Sequence, residues 1–407
     1  MGHMRKELLV RSFDTIDQFI ESRFDTWCQW RRHLHANPEL SWQEAETTDF
    51  IGKQLTEIGL TLTAGPRQRG GFANIGQNDS LPLVAIRGDI DAIPVNELTD
   101  VPFRSQVPGV MHACGHDVHA TVVLAVCDTL QHLLSNNCMA NGLNVRAIFQ
   151  PAEEVAEGAT ETIAAGALQG VHRIFTLHVD PAREVGCFGF RDGPQTACCD
   201  EILVKFHGPG GHGARPHETA DPVFAAAQFI NAAYGSVPRM TDPRRSTVLS
   251  FCQIAGGHSP NVIPTDVQIK GTLRSFDSGV RDRVFKQLAN LAVTIGDSLG
   301  VKIEFVPGVS IPSVDNCPET NGLLRSVAEV IVGKECISEV EPSLGGEDFA
   351  CYQTQIPGSL VRVGSANGSR GTAHLHSPHF DVDERVIRHA CRLFSRAILQ
   401  LSGDAEG

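Results

Sequence analysis

An alternation of short apolar strands with helical segments is the feature that most limits the folds open to this 407-residue chain. The apolar patterns predict strands at 83–87, 144–149 and 173–178, and helices at 117–134 and 156–168. Strands that alternate with helices form largely parallel sheets with helices packed against them. In such sheets the chemistry gathers at the carboxyl ends of the strands. The sequence therefore predicts an α/β fold with its site along one edge of a mixed, mostly parallel sheet flanked by helices.

The pattern changes near residue 196. From 196 to 308 the predicted elements follow the order βαββαβ, which is typical of a ferredoxin-like unit. The α/β pattern then resumes and includes a strand at 359–363 and a closing helix at 383–401. We therefore expect a discontinuous catalytic domain, residues 4–195 and 309–407, that carries an inserted ferredoxin-like domain.

The N-terminal residues predict two helices before the first strand. The first covers residues 12–36 and ends before Pro38. Ser41 has the residue type of a helix cap, and Glu44 follows it at the spacing of a capping box. We therefore expect the second helix to run from Ser41 to Leu55.

Charge and hydropathy narrow the classes of partner. The formal net charge of −13 argues against nucleic acid or an anionic membrane as the main partner. We find no run of about 18 apolar residues that would span a membrane, and no apolar core of a signal peptide. The 12 cysteines include no CxxC pair, which favours reduced thiols and a cytoplasmic location.

The segment MHACGHDVHAT (111–121) contains the strongest indication of chemistry. It presents Cys114 and His116, and both thiolate and imidazole are good ligands for divalent transition metals. This pair cannot fill four coordination positions, so other ligands have to come from elsewhere. Candidates at the ends of other predicted strands are Glu153, Glu154, His178 and His376. If one of the two glutamates binds metal, these residues supply five mixed ligands, which exceeds one tetrahedral site and suits two neighbouring ions.

Two pairs of acidic residues follow predicted strands. Glu153 and Glu154 are adjacent on an extended segment, so their side chains point in opposite directions. One of them can bind metal while the other carries protons for amide hydrolysis. Asp89 and Asp91 share one side of their strand, where one of them can hydrogen-bond a ligating imidazole.

The inserted domain offers candidates for contact with a substrate. His212 lies among glycines in HGPGGHGARPH, and this arrangement favours a contact role. Asn261 lies in the same domain, as does Arg274, whose guanidinium could pair with a substrate carboxylate. Considered on its own, Arg274 is better explained by a surface salt bridge.

A series of segments in fixed order resembles a known family. The segments are RRHLHANPELSWQE, RGDIDAIPV, GVMHACGHDVHA, FQPAEE, LHVDP, GPGGHGARPH, SPNVIP, LGGEDFA and LHSPHFD. Together they resemble the aminoacylase-like metalloamidohydrolases, in particular hippurate hydrolases, N-acyl-amino-acid amidohydrolases and indoleacetyl-amino-acid hydrolases. The resemblance extends over roughly residues 30–395, which makes it specific for the family but not for a substrate.

The resemblance implies roles for individual residues. It implies two divalent ions (manganese, zinc or nickel), with Glu153 as general acid and base and Asp91 orienting the site. His212 resembles a lid-domain histidine that reaches the partner's active site in dimeric relatives, while Asn261 and Arg274 resemble residues that hold the substrate's carboxylate or backbone. The inserted domain would then act as a lid and as the homodimer interface. The residues that match the family's metal ligands are Cys114, His116, Glu154, His178 and His376.

These observations predict a metal-dependent amidohydrolase that cleaves N-acyl or N-aroyl amino acids with a metal-activated water. One alternative is a dipeptidase or carboxypeptidase, which a pocket carboxylate near a free substrate amine would favour. Another is hydrolysis of an unusual aromatic amine or amide. An alternative of a different class is a catalytically silent protein that binds metal or amino acids, and the intact acidic pair argues against it.

Overall fold

The computed structural model describes residues 2–136, 142–244 and 246–404. Helices and strands alternate along most of this part of the chain. The helices α1 to α9 are Gly2–Ala36, Ala45–Glu57, His116–Ser135, Gly158–Ala164, Pro222–Met240, Ser278–Leu299, Pro318–Val332, Ala350–Gln353 and Arg385–Asp404. The strands β1 to β16 are Thr63–Ala64, Gly71–Ile75, Leu83–Asp89, Val145–Gln150, Val171–Glu184, Phe188–Phe190, Gly193–Pro194, Cys198–His207, Gly211–His212, Thr247–Gly256, Val262–Ile263, Asp266–Ser275, Lys302–Ile311, Asp315–Asn316, Ile337–Glu339 and Gly358–Ala366.

The chain divides into two compact units. Unit 1 comprises Met1–Gly193, Asp315–Glu341 and Cys351–Gly407, and unit 2 comprises Pro194–Val314 and Pro342–Ala350. The segment Pro342–Ala350 differs from the sequence interpretation, which kept all of 309–407 in the catalytic domain. It belongs to unit 2 because the backbone of Ser343 hydrogen-bonds to both neighbours of Thr196.

Unit 1 is built on a mixed sheet of order β1-β2-β4-β3-β5-β16-β6-β15. Its central strands β4, β3, β5 and β16 pair in parallel, whereas β1, β2 and β6 add antiparallel pairs. Every residue of β4 is buried, as expected for a strand covered on both faces. The predicted α/β class with a mostly parallel sheet is confirmed.

Helix α3 forms much of the core of unit 1. It packs against α1, α9 and the neighbouring strand β3. By length and composition it could cross a membrane, but 78% of its apolar window is buried inside the fold. This burial is typical of a core helix in a large domain.

Unit 2 contains the order β8-α5-β10-β12-α6-β13. Its antiparallel sheet has the order β10-β12-β8-β13, the arrangement of a ferredoxin-like unit. Phe229 of α5 and Leu288 of α6 pack with the buried strand residues into one core. Both helices begin at an aspartate cap, because Asp221 accepts the amide of Val223 and Asp277 accepts that of Val280.

Candidate active site

The side chains predicted for metal binding lie in unit 1, at the carboxyl edge of its sheet. Asp89 ends β3, and Glu153 follows β4. Arg87 of β3 pairs in parallel with Thr176 of β5, so Asp89 and His178, each two residues further on, lie at the same level of the sheet. Other members of this group are Asp91, Cys114, His116, Glu154 and His376.

A glycine turn directs the thiol and the first imidazole. Gly115 has φ +88, a left-handed conformation that suits glycine, and α3 begins at the next residue. A Cβ atom at Gly115 would lie 2.4 Å from Cγ2 of Val179. The backbone can therefore approach β5 closely, and Cys114 and His116 leave the turn on either side of the glycine.

Two imidazoles have one nitrogen fixed by the protein. Nδ1 of His116 lies 2.9 Å from the carbonyl oxygen of Asp91 and 3.2 Å from Asp91 Oδ1. Nδ1 of His178 lies 2.8 Å from the carbonyl oxygen of Val179. Because a carbonyl oxygen can only accept, both rings carry the proton on Nδ1 when they are neutral. This leaves Nε2 with a free lone pair, and Nε2 of His178 is 3.6 Å from Sγ of Cys114.

Glu154 joins this group from the loop after β4. Its Oε1 is 3.8 Å from Nε2 of His116 and 3.5 Å from Nε2 of His376. That oxygen is buried and has no hydrogen-bond partner among the described residues. Oε2 of Glu153 is 4.0 Å from the same nitrogen of His116. At separations of 3.5 to 4.0 Å, these oxygen and nitrogen atoms are spaced as the ligands around a cation are spaced.

The loop that carries His376 reaches the cluster through its backbone. The amide of His376 donates to the carbonyl of Ala113 at 2.8 Å, which brings the histidine beside Cys114. One donor atom each from Cys114, Glu154 and His376 fall within 4.8 Å of one another, as do atoms of His116, Glu153 and Glu154. Mixed sulfur, nitrogen and oxygen donors suit a divalent transition metal rather than calcium or magnesium.

Burial and charge set the protonation of the cluster. Burial raises the pKa of the Cys114 thiol, and it is the main reason that the pKa of His178 is lowered. Burial also disfavours charge on His116, but the nearby carboxylates of Asp89 and Asp91 outweigh it and raise the pKa of His116. For Asp91, the hydrogen bond with His116 outweighs burial and lowers the pKa. The carboxylates of Asp89 and Asp91 therefore favour positive charge at His116, whereas burial disfavours it at His178.

His119 was missed by the sequence analysis. Its Nδ1 donates to Oδ1 of Asp89 at 2.6 Å, and its Nε2 accepts the amide of Val179 at 3.0 Å. Both nitrogens are thus used by the protein, and the ring lies between the imidazoles of His116 and His178. The spacing of His116 and His119 on one helix face was the signal that could have identified it.

The prediction that Ser41 caps a helix is wrong. Helix α2 begins only at Ala45, and Glu44, the residue before it, makes no side-chain cap. Ser41 instead donates from Oγ to Oδ2 of Asp91 at 2.7 Å. The same oxygen of Asp91 accepts the amide of Glu154 at 3.1 Å, so Asp91 connects this segment, His116 and the Glu154 loop.

Unit 2 brings two of its three predicted contact residues together. His212 in β9 pairs with Val262 in β11, and the amide of Gly213 donates to the carbonyl of Asn261 at 2.8 Å. The side chain of His212 is exposed, and its Nδ1 accepts the amide of Ala214, so Nε2 carries the proton and can donate it. This nitrogen is suited to contact an oxygen atom that becomes negatively charged.

Arg274 does not join them within unit 2. It lies near the far end of β12, eight residues after Asp266, a span of roughly 26 Å at about 3.3 Å per residue. Its Nη1 donates to the carbonyl of Leu344 at 2.6 Å and lies 3.2 Å from Sγ of Cys199. The guanidinium is therefore anchored on one side by backbone rather than by an acidic side chain.

A mostly parallel α/β sheet with a thiol, imidazole and carboxylate cluster at its carboxyl edge defines a metal-dependent hydrolase. The chain belongs to peptidase family M20/M25/M40, whose profile matches residues 85–400. The predicted relation to the aminoacylase-like metalloamidohydrolases is thereby confirmed.

Similar proteins include enzymes with different named activities. An N-acetylcysteine deacetylase of Bacillus subtilis is 38% identical over 368 residues, which is 90% of this chain and 94% of that protein. Thermostable carboxypeptidase 2 of Saccharolobus solfataricus is 36% identical over 88% of this chain and 91% of its own length. A crystal structure of a dinuclear metal binding peptidase from family M20 of B. subtilis superposes with a TM-score of 0.81. It is 34% identical, with 94% of this chain and 99% of that chain covered.

Proposed function

We propose that this metal-dependent hydrolase cleaves the amide bond of N-acyl or N-aroyl amino acids, such as hippurate and N-acetyl or indoleacetyl conjugates. The observation that carries the proposal is the adjacent pair Glu153 and Glu154, with Oε2 and Oε1 at 4.0 Å and 3.8 Å from Nε2 of His116. One carboxylate can bind metal there while the other transfers protons. Similarity to the N-acetylcysteine deacetylase supports an acylated substrate.

We assign Glu154 to metal binding because its buried Oε1 faces two imidazoles and has no hydrogen-bond partner within the described residues. The cluster would hold two divalent ions, which we take to be manganese, zinc or nickel. The similarity to a dinuclear peptidase supports this number. The full ligand set that we propose is Cys114, His116, Glu154, His178 and His376.

Bound metal would act as a Lewis acid on the substrate carbonyl and lower the pKa of water. Glu153 would take a proton from the attacking water and give it to the amide nitrogen as the amine leaves. Asp91 would hold His116 through Nδ1 and keep Nε2 directed at the cluster. The protein thus supplies one group that moves protons and another that fixes orientation.

We further propose that His212 stabilises the oxyanion through Nε2, and that Asn261 and Arg274 hold the substrate carboxylate or backbone. Arg274 is separated from His212 and Asn261 by most of the length of β12. One substrate could therefore meet all three residues only if two copies contribute, and this supports a homodimer formed through unit 2. A cytoplasmic location stays a prediction from the sequence.

The proposal is tested by release of free amine from a panel of substrates with added Mn²⁺, Zn²⁺ or Ni²⁺ and with chelator. The panel contains hippurate, N-acetyl amino acids, indoleacetyl amino acids and unblocked dipeptides. We expect metal-dependent release from the acylated compounds and little from the dipeptides. The similarity to a carboxypeptidase favours peptide hydrolysis as the second candidate, and faster release from dipeptides would establish it in place of deacylation. Metal binding without release from any compound would contradict both.

A further inference from the structure

The turn that presents the acidic pair is held at both ends. The amide of Glu154 donates to Oδ2 of Asp91 at 3.1 Å, on one side of Glu153. On the other side, the amide of Ala152 donates to Oε1 of Glu44 at 2.8 Å. Glu153 is therefore the residue between two amides, each of which is bound by a buried carboxylate.

This turn needs support because its backbone is strained. Ala152 has φ +54, a left-handed conformation that non-glycine residues rarely adopt because it is strained. Ala152 is fully buried, so its amide has no access to solvent as an alternative partner. The hydrogen bond to Glu44 compensates for this strain at the residue directly before Glu153.

Glu44 is not explained by the helix that follows it. Its backbone carbonyl accepts the amide and the hydroxyl of Thr48, as the start of α2 requires. Its side chain turns away from the helix and makes no cap. The carboxylate is completely buried, and Oε2 has no hydrogen-bond partner in the part of the chain that the structure describes. A buried carboxylate with an unsatisfied oxygen destabilises a fold, so packing alone does not account for it.

We propose that Glu44 is a positioning residue of the active site, which holds the Ala152 amide and thereby fixes the direction of Glu153 and Glu154. The inference rests on the proposed roles of these two glutamates. Ser41, in the same segment, binds Asp91, so residues 41–44 support the cluster from two points.

The test compares substitutions at Glu44 in the metal-loaded enzyme. Glu44→Gln keeps an acceptor for the Ala152 amide, whereas Glu44→Asp is one methylene too short and Glu44→Ala removes the acceptor. We expect Glu44→Asp and Glu44→Ala to lower kcat about ten- to a hundredfold with little change in KM, because small displacements of catalytic groups are costly. Glu44→Gln should keep kcat near the wild-type value. Glu46→Ala is the matched control, because Glu46 is exposed and lies two residues further on.

A second readout does not depend on the substrate. With Co²⁺ as the probe, the visible absorption spectrum reports the geometry of the ligands, and it should change in Glu44→Ala but not in Glu46→Ala. Unchanged kcat and an unchanged cobalt spectrum in Glu44→Asp and Glu44→Ala would overturn the inference. The inference would also be overturned if these two variants lost thermal stability but kept the wild-type kcat per folded, metal-loaded molecule. If wild-type enzyme released no amine from any acylated compound, the proposed function would fail, and the cobalt spectra would still decide the role of Glu44.

Discussion

His119 donates from Nδ1 to Oδ1 of Asp89 at a distance of 2.6 Å, and neither residue is exposed. Asp89 is in turn paired with Arg87 at 2.5 Å, and Nε2 of His119 accepts the amide of Val179. This chain of contacts links the start of α3 to β3 and β5, the elements that carry His116 and His178. The position of both imidazoles thus depends on a histidine whose two nitrogens are already occupied.

Replacement of His119 by alanine should therefore weaken metal binding without removing a ligand. Groups that orient metal ligands typically contribute about ten- to a hundredfold to affinity. We expect a fall of that size in Zn²⁺ affinity, measured by competition with a chromophoric chelator. His172→Ala is the control, because His172 is exposed on β5. Equal affinities in the two variants would show that the Asp89–His119 contact has no influence on the site.

Glu153→Gln should separate proton transfer from metal binding. The substitution keeps the size of the side chain but removes its basicity, so we expect kcat to fall about 100- to 10,000-fold. Metal content, measured by mass spectrometry of the dialysed protein, should remain at the wild-type value. Glu154→Gln should instead lose metal. A loss of metal in Glu153→Gln would exchange the roles that we assign to the two glutamates.

Much of the fold could be predicted from the sequence because the spacing of apolar residues reflects which face of a helix or strand is buried. The prediction of a helix at 117–134 agrees with α3 within one residue at each end. The predicted ends of helices and strands were wrong where tertiary contacts determine them. Helix α4 ends at Ala164 rather than at residue 168, since Gly166 adopts φ +92. Strand β5 continues to Glu184 rather than 178, because β16 provides pairing partners from Ile174 to Asp180 and again at Glu184.

In the candidate site, too, features within one segment could be predicted, whereas contacts between distant segments could not. Adjacent glutamates after an apolar strand are a local signal, and the structure brings both to within about 4 Å of His116. Ser41 followed by Glu44 is also a local signal, but it predicted the wrong contacts. The partners that the two side chains adopt, Asp91 and Ala152, are 50 and 108 positions away along the chain. No pattern within one segment can report such contacts.

Substitution of Cys114 by serine should change how metal affinity depends on pH. Burial raises the pKa of this thiol well above neutral, so the free protein holds it protonated. Binding as a thiolate must then release that proton, and affinity should increase as the pH rises. Between pH 6 and 8, log Kd should fall with rising pH, and in Cys114→Ser this fall should be shallower by about one log unit per pH unit, together with weaker binding. Titration with Zn²⁺ at several pH values measures this slope, and identical slopes would argue against Cys114 as a ligand.

Glu44 should make the metal-free protein less stable as the pH rises. Burial, with a further contribution from the charge of Asp91, raises the pKa of Glu44 to about 7 from its ordinary value of 4.5. A carboxyl whose pKa is higher in the folded state binds a proton more tightly there, so its stabilising effect is complete below pH 4.5. That effect is lost as the pH rises through 7. Relative to Glu44→Gln, the wild type should lose up to about 3 kcal/mol of unfolding free energy across this range. Urea unfolding of both proteins in chelator, at intervals between pH 5 and 8, measures the difference. All other groups titrate alike in the two proteins, so a constant difference would mean that Glu44 ionises at its ordinary pKa.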